Sequence, residues 1–216
     1  MDDGTTMAVS YKEPIHYKNA AGEWVDYDNS LKNETVNSAS PDEVTEEYTN
    51  KKSDFKVNYS KNSKENSMVK IKGDNQKISW GYKDTNKVKS TIVNNDEKLT
   101  GNDKFTTLKN LTSEITYENI YDDVDVQYFT TTTGVKENII LKNKNARSDF
   151  YIQYKFNNLT AKSVDDKTVE LLNSKGDAVY KIEAPFMFDN DGNKSTDLTL
   201  SITCLLYTSP SPRDTR

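Results

Sequence analysis

Ile115-Thr116-Tyr117-Glu118-Asn119-Ile120-Tyr121-Asp122-Asp123-Val124-Asp125-Val126-Gln127-Tyr128 is the stretch whose pattern decides the fold. Ile115 and Tyr117, then Val124, Val126 and Tyr128, fall at every second position, and in an extended chain that spacing lines one face of a strand. Asp122-Asp123 supplies turn chemistry between the two runs. Val135, Ile139 and Leu141 mark a third strand, reached through Thr131-Thr132-Thr133-Gly134.

The same period continues in both directions. Downstream, Phe150, Ile152, Tyr154 and Phe156 alternate cleanly. Leu159-Ala161-Ser163, Val169-Leu171 and Ala178-Val179-Tyr180-Lys181-Ile182 follow, with Asn173-Ser174-Lys175-Gly176-Asp177 as a turn. Upstream lie Phe55-Val57-Tyr59, Met68 to Lys72 and Ile78 to Tyr82. Ile15 to Lys18 and Trp24 to Tyr27 flank Ala21-Gly22 and read as a hairpin, preceded by the β-prone run Thr6 to Tyr11. Ser30 to Lys52, which carries Ser40-Pro41, and Asn94 to Lys104 are polar and read as extended loops. No stretch keeps a 3.6-residue apolar period over three turns. Short strands separated by polar turns predict an all-β protein, an antiparallel β-sandwich-like (supersandwich-type) domain with long polar loops. The expected division is residues 1–50 as hairpin and polar loop, 51–203 as the β-rich domain, and 204–216 as a separate tail.

Composition narrows the function classes. Hydrophobic residues are 33% and charged residues 29%, so the thirteen Tyr and seven Phe must supply much of the core. The net charge is −5, with Lys and Asp/Glu interleaved. Without a basic balance, no nucleic-acid partner is expected. No apolar run approaches the roughly 20 residues of a membrane span. Met1-Asp2-Asp3-Gly4-Thr5-Thr6 has neither the basic nor the apolar part of a signal peptide.

Cys204-Leu205-Leu206-Tyr207-Thr208-Ser209-Pro210-Ser211-Pro212-Arg213-Asp214 breaks the composition of all that precedes it. It resembles a translated transposase sequencing adaptor, with Thr215 and Arg216 as barcode. On that reading the native sequence stops near Ile202, within the strand-like run Leu198 to Ile202, and the chain's one cysteine belongs to the tail.

Candidate chemistry is sparse. His16 is the single histidine and reads as a strand-face residue rather than part of a catalytic triad. Asp189-Asn190-Asp191-Gly192-Asn193 has the residue types of a calcium loop, but its glycine falls at the fourth position rather than the sixth, so a hairpin turn is expected. Asp122, Asp123 and Asp125 beside Tyr121 and Tyr128 offer the paired carboxylates of a glycosidase, yet alternation sends Asp123 and Asp125 away from the Val124–Val126 face, towards solvent. Trp24, Trp80 and Tyr82, with Tyr17 and Tyr27 near them in sequence, are the candidate glycan-stacking residues; the competing reading places these rings in the core. No catalytic residue, cofactor or metal ligand set is assigned, and no enzyme activity is expected.

Several phrases carry a family resemblance. They are Asp3-Gly4-Thr5 through Tyr11, Pro14-Ile15-His16-Tyr17-Lys18, Gly22-Glu23-Trp24, Asp28-Asn29-Ser30-Leu31, Phe55-Lys56-Val57 and Ile78-Ser79-Trp80-Gly81. The series goes on through Ile115 to Tyr128, Lys136-Glu137-Asn138-Ile139-Ile140-Leu141 and Ala184-Pro185-Phe186-Met187-Phe188-Asp189. In this order they resemble the N-terminal region of large clostridial secreted wall-associated and Rhs-repeat proteins, which often also carry DNRLRE domains. The resemblance covers residues 3–203. It implies export, with the signal peptide lost upstream, an extracellular or cell-wall setting, and a long β-rich carrier. The expected function is a non-catalytic structural or interaction module. Its partners are then the remaining domains of the same polypeptide and cell-wall or host glycans. The alternatives are a carbohydrate-binding or adhesin module and an accessory domain of a glycoside hydrolase.

Overall fold

The computed structural model describes residues 12–37, 44–63, 67–73, 75–94 and 110–199. Among them the regular elements are strands, in antiparallel sheets, and the fold is all-β and sandwich-like. Two compact units divide the chain, 1–157 and 158–216.

The first unit is built on two sheets. The larger has six strands: β3 (Asp28–Asn37), β4 (Val44–Lys52), β5 (Lys56–Ser60), β6 (Val69–Lys72), β7 (Lys77–Tyr82) and β12 (Ile152–Asn157), in the order β12-β7-β6-β5-β4-β3. The smaller has four: β8 (Ser90–Asn94), β9 (Ser113–Tyr121), β10 (Val124–Thr130) and β11 (Val135–Leu141), in the order β11-β10-β9-β8. A separate hairpin pairs β1 (His16–Lys18) with β2 (Trp24–Asp26). The second unit holds β13 (Thr160–Ser163), β14 (Val169–Leu172) and β15 (Ala178–Ile182) as a three-stranded meander. A short hairpin of β16 (Met187–Phe188) and β17 (Lys194–Ser195) follows.

The core of the first unit lies between its two sheets and is largely tyrosine. Tyr59 and Trp80 from the six-stranded sheet meet Tyr128 at ring-centroid distances of 5.9 and 6.2 Å, and Tyr82 meets Tyr121 edge-on at 6.3 Å. A buried tyrosine brings a hydroxyl that needs a partner, and here several reach across the sandwich. Tyr59 Oη lies 2.8 Å from Thr130 Oγ1, Tyr117 Oη donates to the Ser60 carbonyl at 2.5 Å, and Tyr121 Oη donates to the Lys83 carbonyl. A core short of Leu and Ile is thus cross-linked by polar tips as well as packed by rings.

Period-two reading found β5, β6, β7, β9, β10, β11, β12 and the second unit's meander, but it read Ser30 to Lys52 as loop. That expectation is corrected: β3 and β4 pair from Asn37↔Val44 to Asp28↔Lys52 and form one side of the large sheet. Residues 38–43, with Ser40-Pro41, and 95–109 lie outside those described, as do the run Thr6 to Tyr11 and the adaptor-like tail 204–216. β4 spans Val44–Lys52 and so crosses position 50, and the chain divides into its two compact units between residues 157 and 158.

Candidate functional site

The three candidate stacking residues do not share a surface. Trp24 is 68% exposed on the β1–β2 hairpin, with Lys18 Nζ 5.2 Å from its ring centroid. Trp80 and Tyr82 are buried between the sheets, where their faces contact Tyr154, Tyr128, Tyr121 and Phe150. Alternation along Ile78, Trp80 and Tyr82 turns both rings inward, so no glycan-stacking platform forms from them.

His16 pairs with Asp26 across the hairpin, 2.9 Å apart, as expected of a strand-face residue. Asp122 and Asp123 occupy the β9–β10 turn, where Asp123 adopts a positive φ of 58°. Asp125 turns to the outer side, held by Lys142 Nζ at 2.8 Å and by the Asn119 backbone N–H at 2.6 Å. Asp122 and Asp123 are exposed at the strand entry, while Asp125 is largely covered and paired with Lys142. The Asp189 segment is a hairpin turn, its carboxylate accepting from the backbone N–H groups of Asp191 and Asn193 at 3.0 and 2.9 Å.

Two groupings escaped the sequence reading. The first surrounds Glu137, on the inward face of β11, opposite Tyr128 in the register. Its carboxylate accepts from Trp80 Nε1 at 3.1 Å and from the Tyr82 hydroxyl at 2.9 Å, both on β7 of the facing sheet. The buried Tyr128 hydroxyl makes no hydrogen bond of good geometry, but it lies close enough to help hold the charge. Burial raises the Glu137 carboxyl above the usual carboxylate range, and donation from Tyr82 and Trp80, with the nearby Tyr128 hydroxyl, offsets only part of that rise. The same enclosure pushes the phenols of Tyr82 and Tyr128 up, first by burial and then by the Glu137 charge. This arrangement ties the two sheets together.

The second grouping covers the outer face of the six-stranded sheet. Because Val57, Tyr59, Val69, Ile71, Ile78 and Trp80 face inward, the intervening residues share the opposite face. Cross-strand register then sets Lys56 opposite Lys72 and Lys72 opposite Lys77. The neighbouring row reads Lys32, Thr49, Asn58, Lys70, Ser79, Lys155 across all six strands. Glu34 accepts from Lys56 and, at 2.6 Å, from Asn58 Nδ2; Lys70 pairs with the buried Glu47. Hydrogen bonds from Lys56 and Asn58 hold the Glu34 carboxyl below its ordinary value against the opposing effect of burial. Thr49, Asn58 and Ser79 on this face are buried. The sequence signal, had it been used, was Lys at alternate positions of Met68 to Lys72, opposite to Val69 and Ile71.

No family model matches the chain, and no solved structure does. Three Bacillus proteins are similar to it. They are the tRNA nuclease WapA of Bacillus subtilis, the tRNA(Glu)-specific nuclease WapA of Bacillus subtilis subsp. natto and the tRNA3(Ser)-specific nuclease WapA of Bacillus spizizenii. Each is 26% identical over 189 residues, 87% of this chain. The chain spans 7% of the length of these relatives.

Those names correct three expectations. A non-catalytic structural or interaction module, with its carbohydrate-binding and hydrolase-accessory alternatives, is overturned by relatives named as tRNA nucleases. So are the absence of enzyme activity and the exclusion of nucleic acid. The exclusion rested on the whole-chain charge of −5, a sum that conceals a face on which lysines stand in register. No helix among the described residues is long and apolar enough to cross a membrane.

Proposed function

We propose that this chain is a β-sandwich segment of a longer bacterial protein that cleaves tRNA, working in an extracellular or cell-wall setting. The observation that carries the reading is the match along 87% of the chain to three proteins named for that activity. Because the match spans 7% of those proteins, the activity is proposed for the whole polypeptide, and no described residue is given a role in bond cleavage. The collinear motifs from Asp3 to Asp189 support placing the parent protein among wall-associated, Rhs-repeat polypeptides, with DNRLRE domains as further expected neighbours.

The test is direct. The product of the whole gene is incubated with a total tRNA pool, and the fragments are resolved on a denaturing gel. Discrete cleavage of one or more tRNA species is expected. A tRNA pool left intact by the folded full-length protein would overturn the reading.

A further inference from the structure

We infer that the outer face of the six-stranded sheet is a docking surface for an RNA stem, gripped through its phosphates. The inference rests on the tRNA reading for the identity of its ligand, and on the lysine rows for its location.

Three lysines in register on adjacent strands are costly. Neighbouring strands are about 4.8 Å apart, and like charges directly opposite destabilise a sheet. Lys56, Lys72 and Lys77 nevertheless occupy successive partner positions on β5, β6 and β7. Counting Lys32, Lys70 and Lys155 from the next row, six lysines face two glutamates, Glu34 and Glu47, a local net of +4 on a chain whose total is −5. The glutamates engage Lys56 and Lys70; Lys32, Lys72, Lys77 and Lys155 form no ion pair among the described residues. Lys77 is held below the ordinary ammonium range, by desolvation first and then by Lys70 and Lys72. Four unpaired ammonium groups on a rigid sheet make a pre-arranged site for successive phosphates.

The floor refines the ligand. No aromatic side chain stands in the two lysine rows, and although Phe55 lines the hollow beside Lys32, Lys56 and Lys72, the rows offer no series of rings like the aromatic sheet faces that bind single strands. A base-paired stem offers phosphates without needing that stacking.

The experiment measures binding of an unmodified tRNA transcript to the full 216-residue chain by fluorescence anisotropy over a salt series. Four phosphate contacts give a log–log salt slope of about −3 to −4. The double substitution K72Q/K77Q should make that slope shallower by about 2, with the thermal midpoint unchanged or raised. Three results would each overturn the inference: no tRNA binding at about 50 mM salt, a slope indifferent to K72Q/K77Q, or poly(glycerol phosphate) binding as tightly as tRNA. Binding by this chain without cleavage by the whole protein refutes the nuclease reading alone. Cleavage with no binding here refutes only the docking face.

Discussion

Glu137 on β11 accepts a hydrogen bond from Trp80 Nε1 on β7 at 3.1 Å, so a carboxylate from one sheet is anchored by an indole from the other. Tyr82, two residues along β7, donates to the second oxygen at 2.9 Å. Removing the acceptor strands two donors in an aromatic interior. Glu137→Ala is expected to cost about 2–4 kcal/mol, measured by chemical denaturation. A loss under about 0.5 kcal/mol would show that the two donors find other partners.

The same residue sets a pH dependence. Its carboxyl holds a proton to higher pH in the folded protein than in the unfolded chain, because burial raises it. The group's contribution is therefore fully present below the unfolded pKa, about 4.3, and is lost as pH rises through the folded value. Glu34 has the opposite sign, since its folded pKa is lowered. Comparing wild type with Glu137→Gln cancels that background. The thermal midpoint of Glu137→Gln relative to wild type should climb between about pH 4 and pH 7. A difference that stays flat over this interval would contradict the assignment.

How far the sequence disclosed this fold depends on which face of each strand carried apolar residues. Val124, Val126 and Tyr128 stand opposite Leu141, Ile139 and Glu137, and two of those three partners were legible as strand residues. Glu137 was not, because a charged residue on an inward face looks like the solvent side until the register shows what it meets. β3 was hidden for a related reason. In Asp28–Asn37 the inward positions include the buried Asn29 beside Leu31, and Asn29 is satisfied by Leu111 and Asn50 rather than by apolar contact. The lysine rows exist only across strands, so a reading along the chain meets them as scattered single charges. The tRNA connection was not legible at all, since whole-chain charge averages over a face that only pairing assembles.

Tyr59 and Thr130 give a cleaner measure of what the polar latches contribute. Their hydroxyls lie 2.8 Å apart, both residues are fully buried, and they belong to different sheets. Tyr59→Phe and Thr130→Val should each cost about 1–2 kcal/mol, because each leaves one buried hydroxyl unpartnered. The double variant removes both polar ends and should lose less than the two single costs together. Strict additivity in a double-mutant cycle would mean that the two hydroxyls do not interact.

One turn design recurs three times. Asn19, Asn173 and Asp189 each accept backbone N–H groups two and four residues ahead, and each is followed three residues later by a glycine at φ near +80 to +87°. At Gly176 an added Cβ would meet nothing within 4 Å, so the cost of a side chain there comes from the backbone alone. Gly176→Ala should destabilise the β14–β15 hairpin by about 1–2 kcal/mol. Faster amide exchange should appear at Leu171 and Tyr180, which are partners in that ladder. Unchanged protection would show that the turn tolerates the substitution without strain.

Lys72 separates stability from binding. It stands between Lys56 and Lys77 in the register and has no ion pair among the described residues. Reversing its charge turns two like-charge contacts into attractive ones. Lys72→Glu should therefore raise stability by about 0.2–1 kcal/mol at low salt, and the gain should shrink as salt screens the pairs. The same change should weaken tRNA binding, since it removes the central ammonium of the row and places a carboxylate against phosphate. A variant that is both less stable and equally able to bind RNA would show that Lys72 is kept for the packing of its aliphatic stem.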